Sequence, residues 1–293
     1  MSIQNLIKKS LQVIENKEDG VFILDENSRF VLLKSSITSD INATFYEPVL
    51  CLILQGSKEV AVGTREIEFG VGESLIVSHE LPVVSRITQA SKDKPYLALV
   101  LGIDLHIIRS LYEEFGESAI FMDKSRSLEV DQAGNELLDS LYRLLNSSQN
   151  KIDSLVLFSQ TLREVHVRLL QAPYGGMLRE LLRVDSHASN ISKAISIIRS
   201  QFMNTLSVPE LAKSSGMSTS SFHNHFKSIT ESTPLQYQKD LRLLEARKLI
   251  TTDGESITTA ALNVGYESPN QFSREYTRKF GVNPSSDRRS IFA

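Results

Sequence analysis

Between residues 21 and 101 the apolar positions fall in short β-branched or aliphatic runs, VFILDENSRFVLLKSS, VLCLILQGSKEVAVGTREIEFGVGESLIVSHELPVVSRITQ and YLALVLGI. Gly56, Gly63, Gly70 and Gly72, then Pro82 and Pro95, sit among them at turn-like spacing. Short strands broken by such turns predict a small sandwich or barrel. From Asp104 the period changes. DLHIIRSLYEEF, NELLDSLYRLL and DSLVLFSQTLREVHVRLL place apolar residues three and four apart, which predicts amphipathic helices. Leu105, Ile108, Leu111, Tyr112 and Phe115 form one stripe, and Leu137, Leu138, Leu141, Leu144 and Leu145 another. Both suit packing onto the barrel and a homodimer interface equally. QAPYGGMLRELLRVDSHASN, with Pro173, Gly175 and Gly176, reads as a linker, and everything after Ile191 as helix and turn. The class is therefore α+β in two domains, residues 1–172 and 191–293, joined by 173–190.

The second domain contains a repeat. LAKSSGMSTSSFHNHFKSITESTP (211–234) is echoed by AALNVGYESPNQFSREYTRKFGVNP (260–284), with Phe222, Phe226 and Pro234 returning as Phe272, Tyr276 and Pro284 after 50 positions. In each copy small residues (Ala212; Ala260, Ala261) precede a turn glycine, Gly216 or Gly265, suited to positive φ. Ser218 or Ser268 then caps a second helix, with Pro269 at a first helical position. Phe222, Phe226 and Ile229, or Phe272, Tyr276 and Phe280, line its inner face, leaving a polar outer face. These are two helix-turn-helix units, at about 207–230 and 256–281. One such pair alone would suit an ordinary helical bundle; two in register do not. Between them PLQYQKDLRLLEARKLI predicts a helix over 234–251, roughly 27 Å at about 1.5 Å per residue. One DNA turn is about 34 Å, so such a spacer sets two recognition helices into successive major grooves. Leu241, Leu244, Ala246 and Leu249 are placed to pack on both units.

Charge agrees with this division. The chain carries 32 Lys+Arg and 35 Asp+Glu, a net of -3; residues 186–293 hold 13 basic against 9 acidic side chains, so they are at +4 and the remainder at -7. A basic half beside an acidic one suggests that the first meets polyphosphate. No apolar run approaches the roughly 18 residues of a membrane span, the N-terminus lacks a signal-peptide pattern, and the single Cys51 excludes an internal disulfide. These features predict a cytoplasmic protein.

The segments SVPELAKSSGMSTSSFHNHFK, TPLQYQKDLRLLEARKLI and AALNVGYESPNQFSREYTRKFGVNP resemble the AraC/XylS family of transcription regulators across residues 190–289. The resemblance implies a sequence-specific, effector-responsive activator of double-stranded DNA that contacts RNA polymerase. It implies base reading by Ser220, Ser221, His223 and Asn224 in the first unit and by Asn270, Gln271 and Arg274 in the second, with Lys227, Thr277 and Arg278 on phosphates. Many relatives carry a large or basic side chain where this sequence has Ser220 and Asn224, so the second helix is expected to discriminate more. Residues 48–87, PVLCLILQGSKEVAVGTREIEFGVGESLIVSHELPVVSRI, with YLALVLGID, resemble the cupin-like barrel of one AraC-type subgroup, which binds a small effector or mediates dimerisation.

No catalytic residues, metal or cofactor are expected. Gly63, Gly70, Gly72 and Glu73 mark barrel turns without the histidine pair of metal-dependent cupins, and His79 stands alone. His223 and His225, two apart on a helix, lie about 200° around its axis and cannot share an ion. A barrel of this size can hold one small ligand. Phe45, Tyr46, Arg86 and Tyr96 are its candidate lining residues, each equally suited to core or surface. Cys51, within LCLIL, reads as a buried structural cysteine ahead of a redox sensor.

Overall fold

The apolar run LCLIL has a simple explanation in the computed structural model, which describes residues 2–115, 126–183 and 186–292: its strand is covered on both faces. After α1 (Ile3–Val13) come β1 (Gly20–Asp25), β2 (Phe30–Ser35), β3 (Asn42–Tyr46), β4 (Val49–Gln55), β5 (Ser57–Val62), β6 (Arg65–Gly70), β7 (Glu73–Val77), β8 (Leu81–Gln89) and β9 (Tyr96–Gly102). Then follow α2 (Leu105–Phe115), β10 (Leu128–Gln132), α3 (Asn135–Ser147), α4 (Lys151–Val156), α5 (Phe158–Gln171) and α6 (Gly176–Leu182). The strands form a six-stranded sheet, β1-β2-β9-β4-β7-β10, and a four-stranded sheet, β3-β8-β5-β6, with antiparallel pairing.

Alternation along β4 divides its side chains between two cores. Leu50, Leu52 and Leu54 join Leu97, Leu99 and Leu101 of β9 under the helices, meeting Leu6, Leu141, Leu144, Leu145 and Leu169. Cys51 and Ile53 face the other sheet, with Val60, Val62, Phe69, Leu75 and Val83. From the helical stripes, Ile108 and Leu111 of α2 and Leu137, Leu138, Leu141, Leu144 and Leu145 of α3 are buried in the first core, with Leu105 partly buried beside them and Tyr112 half-buried; the Phe115 side chain lies outside the described residues. Packing onto the barrel is thus the use the chain makes of them. Each such leucine contributes about 1.5–3 kcal/mol when fully buried.

Two elements are not in the sequence-based reading. α1 closes the helical side of the sheet through Leu6. β10, in a stretch expected to be helical, pairs along the edge of β7 from Leu128↔Val77 to Gln132↔Glu73. The stretch read as a linker forms a 3-10 turn at Pro173–Gly175 and then α6, with Met177 and Leu178 buried. Arg179 anchors this turn by donating to the carbonyls of Leu170 and Ala172.

The remaining chain is helical: α7 (His187–Ser200), α8 (Val208–Ser214), α9 (Thr219–Thr230), α10 (Pro234–Thr251), α11 (Ile257–Asn263), α12 (Pro269–Phe280) and α13 (Pro284–Phe292). Among the described residues no helix is long and apolar enough to cross a membrane.

Candidate nucleic-acid interface and adjoining cavity

The repeat folds as two similar units. In the first, α8 ends at a turn where Gly216 has φ 67°, and Ser218 Oγ accepts from the backbone N–H of Ser221 to cap α9. In the second, α11 ends at Gly265, φ 89°, and Ser268 Oγ accepts from Gln271 N–H to cap α12, which has Pro269 in its first turn. The left-handed backbone at both turns suits glycine. Phe222, Phe226 and Ile229 of α9 are buried with Ile191, Ile195, Ile198, Leu211 and Tyr237. Phe272, Tyr276 and Phe280 of α12 are buried with Leu243, Ala246, Ile250, Ala260 and Ala261.

Helix α10 therefore serves both cores from one rod. Tyr237 is its anchor in the first, and Leu243, Ala246 and Ile250 in the second. Leu241, Leu244 and Leu249 are only half-buried beside them. Polar ties fix the second unit to the rod: Lys239 pairs with Glu275 at 3.1 Å, Lys279 with Asp240 at 3.1 Å, and Arg247 with Asp287 at 2.8 Å. Arg242 donates to the carbonyls of Phe202, Asn204 and Gly265, joining the end of α7 to the turn of the second unit.

With the apolar faces turned inward, the opposite faces are left to solvent. On α9, Ser220, Asn224 and Lys227 are exposed, while Ser221 and His223 are half-buried. On α12, Asn270, Gln271, Arg274, Thr277 and Arg278 are all exposed. These side chains suit DNA, since Arg can bond guanine bidentately, Asn and Gln adenine, and Lys or Arg a phosphate. Gln271 lies 3.3 Å from Glu275 Oε1, so its amide is already oriented on the α12 surface. His225 faces elsewhere than His223 and stacks on His187 with ring centroids 3.6 Å apart.

The first unit rests on the barrel. His79, buried, donates from Nε2 to the carbonyl of Ala188 at 3.2 Å, while its Nδ1 lies 3.0 Å from Ser78 Oγ. The carbonyl accepts only, so Nε2 carries the proton. Burial pushes the His79 pKa down to about 4. Tyr237 donates to the carbonyl of Glu80 at 2.8 Å, Ser127 to that of Ile229, and Arg199 pairs with Glu80. Strand β3 is shared between the two domains. Ala43 packs with Leu243 and Ala246, and the Phe45 ring meets Tyr237 edge-on at 6.1 Å, with Arg199 stacked over it at 4.9 Å.

The other face of β3 borders a cavity of about 530 Å³. Thr44 and Tyr46 line it, with Val31, Leu33, Val49, Cys51 and Val100 as apolar wall and Arg29, Glu47, Lys58 and Arg199 as charged groups. Of the four residues expected to line a pocket, Phe45 and Tyr46 do so. Arg86 points to solvent from the outer face of β8 and pairs with Glu59 at 2.9 Å. Tyr96 is buried beside Cys51 without reaching the cavity wall. Cys51 is buried, and desolvation pushes its thiol pKa up.

Comparison with known proteins finds matches in both halves of the chain. Residues 28–177 match the model of the AraC-type transcriptional regulator N-terminus, and residues 211–290 match a helix-turn-helix domain. The transcriptional regulator ExsA of Pseudomonas aeruginosa is 23% identical, the match covering 93% of this chain and 87% of ExsA. The transcriptional activator RhaS of Pectobacterium carotovorum is 26% identical over 56% of this chain and 58% of its own. Among solved structures, unsaturated fatty acid-bound ToxT of Vibrio cholerae superposes with a TM-score of 0.58 at 13% identity, covering 93% of this chain and 96% of ToxT. The two units on their shared rod, the barrel they rest on and the family match over half the chain lead to one assignment: this protein belongs to the AraC-type transcriptional regulators.

Proposed function

We propose that this protein is a cytoplasmic, non-catalytic activator that lays α9 and α12 into successive major grooves of duplex DNA and answers to a small effector. The observation that carries this reading is the pair of exposed polar helix faces fixed to one rod, α10. Ser220, Ser221, His223 and Asn224 read bases in one groove, and Asn270, Gln271 and Arg274 in the next; Lys227, Thr277 and Arg278 hold phosphates. Residues 1–172 form the effector unit and 191–293 the DNA-binding unit, joined through 173–190. RNA polymerase is the further partner, as in the family at large. A homodimer is a further assembly open to the chain; Ile108 and Leu111 of α2 and the α3 leucines are buried in the barrel core and would not form its interface.

The effector site is the cavity beside β3. Its apolar wall and charged groups suit an amphipathic molecule, and its volume lies within the usual range for small-ligand sites. The structural neighbour ToxT, solved with an unsaturated fatty acid, supports the same choice of ligand size and polarity.

Binding to operators with altered spacing tests the DNA reading. Inserting about five base pairs between half-sites turns them to opposite faces of the duplex. The affinity should then fall to that of a single half-site. Unchanged affinity would mean that the two helices do not engage together.

A further inference from the structure

Strand β5 sends Val60 and Val62 into the core between the sheets, and the same alternation sends Lys58 inward. The Lys58 ammonium lines the cavity, donates to the Tyr46 hydroxyl at 2.8 Å and stands 5.5 Å from the centre of that ring. No carboxylate of the described residues pairs with it. Glu59, next on the strand, faces outward to Arg86. Glu47 and Glu80 are taken by Arg29 and Arg199. The two arginines at the cavity are thus already neutralised, whereas the lysine is not. An enclosed ammonium without a counter-charge is unfavourable until an anion meets it. Close by, the buried Tyr96 hydroxyl stands beside the Cys51 thiol.

Building on the cavity as the effector site, we propose that Lys58 is the anchor of an anionic head group, and that the effector is an apolar monocarboxylate. The carboxylate accepts from Lys58 Nζ and from the Tyr46 hydroxyl, whose proton is free while its oxygen accepts from Lys58. The apolar body lies along Val31, Leu33, Val49 and Val100. Arg29 and Arg199 stay with their glutamates, so ligand charge is read inside the barrel and not at the domain boundary.

The test is calorimetric titration of the full-length protein with decanoate, decanol and decylamine, each below its micellar concentration. Wild type should bind decanoate about tenfold or more tighter than decanol, the range expected for one charge-assisted hydrogen bond, and decylamine most weakly. Lys58→Met should bind decanoate and decanol alike, at the wild-type affinity for decanol, and gain affinity for decylamine. Lys58→Gln serves the same comparison if the methionine variant does not fold. Val100→Trp, which fills the cavity, should abolish binding of all three. Lys58 variants that keep the full preference for decanoate, with Val100→Trp still inactive, overturn the anchor and leave the cavity standing. Binding of none of the probes by wild type, or undiminished binding by Val100→Trp, overturns the cavity reading and the anchor with it.

Discussion

Glu231 shows how far a repeat can constrain one position. It lies 50 residues before Gly281, and both occupy the left-handed turn that ends a recognition helix, with φ 55° and 73°. Glycine adopts this backbone freely; for glutamate it costs on the order of 1 kcal/mol. Among the described residues the Glu231 carboxylate pairs with Arg126 at 3.8 Å, of which Arg126 is largely exposed, and such pairs contribute little. Glu231→Gly should therefore stabilise the folded protein by about 0.5–1 kcal/mol in chemical denaturation. A loss of stability would show that the pair with Arg126 outweighs the backbone term. The same offset of 50 made Phe222, Phe226, Phe272 and Tyr276 legible as core from the sequence, because buried aromatics recur at fixed helical spacing. Lys58 was not picked out, although its signal is present: in SKEVAV it shares a strand face with two valines. Arg86 carries no comparable signal. Only the pairing of β8 with β5 decides which of its faces meets solvent, and Arg86 lies opposite Glu59.

The two recognition helices differ in what they offer to DNA. α9 exposes Ser220 and Asn224, which have short side chains, whereas α12 exposes Asn270, Gln271 and the longer Arg274. A bidentate arginine–guanine contact contributes about 1–3 kcal/mol of discrimination. Arg274→Ala should lose that much between operator and scrambled DNA, and Asn224→Ala less, in a competition binding assay. Equal losses would mean that the helices share the reading evenly. Apolar stripes and the caps Ser218 and Ser268 defined α9 and α12 in the sequence, and Pro234 marked the start of α10. β10 was hidden because LEVDQ has only two apolar residues; its pairing with β7 makes it a strand. Likewise Pro173, Gly175 and Gly176 punctuate the chain as a linker would, yet burial of Met177 and Leu178 holds the following residues in α6.

Contact between the barrel and the first unit makes the assembled protein sensitive to acid. His79 is neutral and buried between Ser78 and Ala188, with a pKa lowered to about 4 by desolvation. An unfolded chain takes up this proton near pH 6.5, so the folded state loses stability as pH falls from about 6.5 towards 4 and no further below it. The gap corresponds to about 3 kcal/mol. His166, which accepts from Asp104 N–H at 2.9 Å, and the half-buried His225 are also lowered by burial and act in the same direction. His79→Gln should flatten the dependence of denaturation midpoint on pH across that window, leaving the part due to the other two histidines. Identical slopes for the variant and wild type would remove His79 from the account.

Strand β3 carries a consequence for how such a regulator diversifies. Its side chains point two ways, Ala43 and Phe45 towards the helices that hold the DNA-binding unit, Thr44 and Tyr46 towards the cavity, whose lining Phe45 also reaches. Neighbouring positions therefore answer to different physical demands. With the effector in the cavity as proposed, substitutions at 44 would retune ligand preference while 43 keeps the two domains in register. Descendants of one gene can thus acquire new chemical inputs by changes in a five-residue strand without relearning where they land on a chromosome.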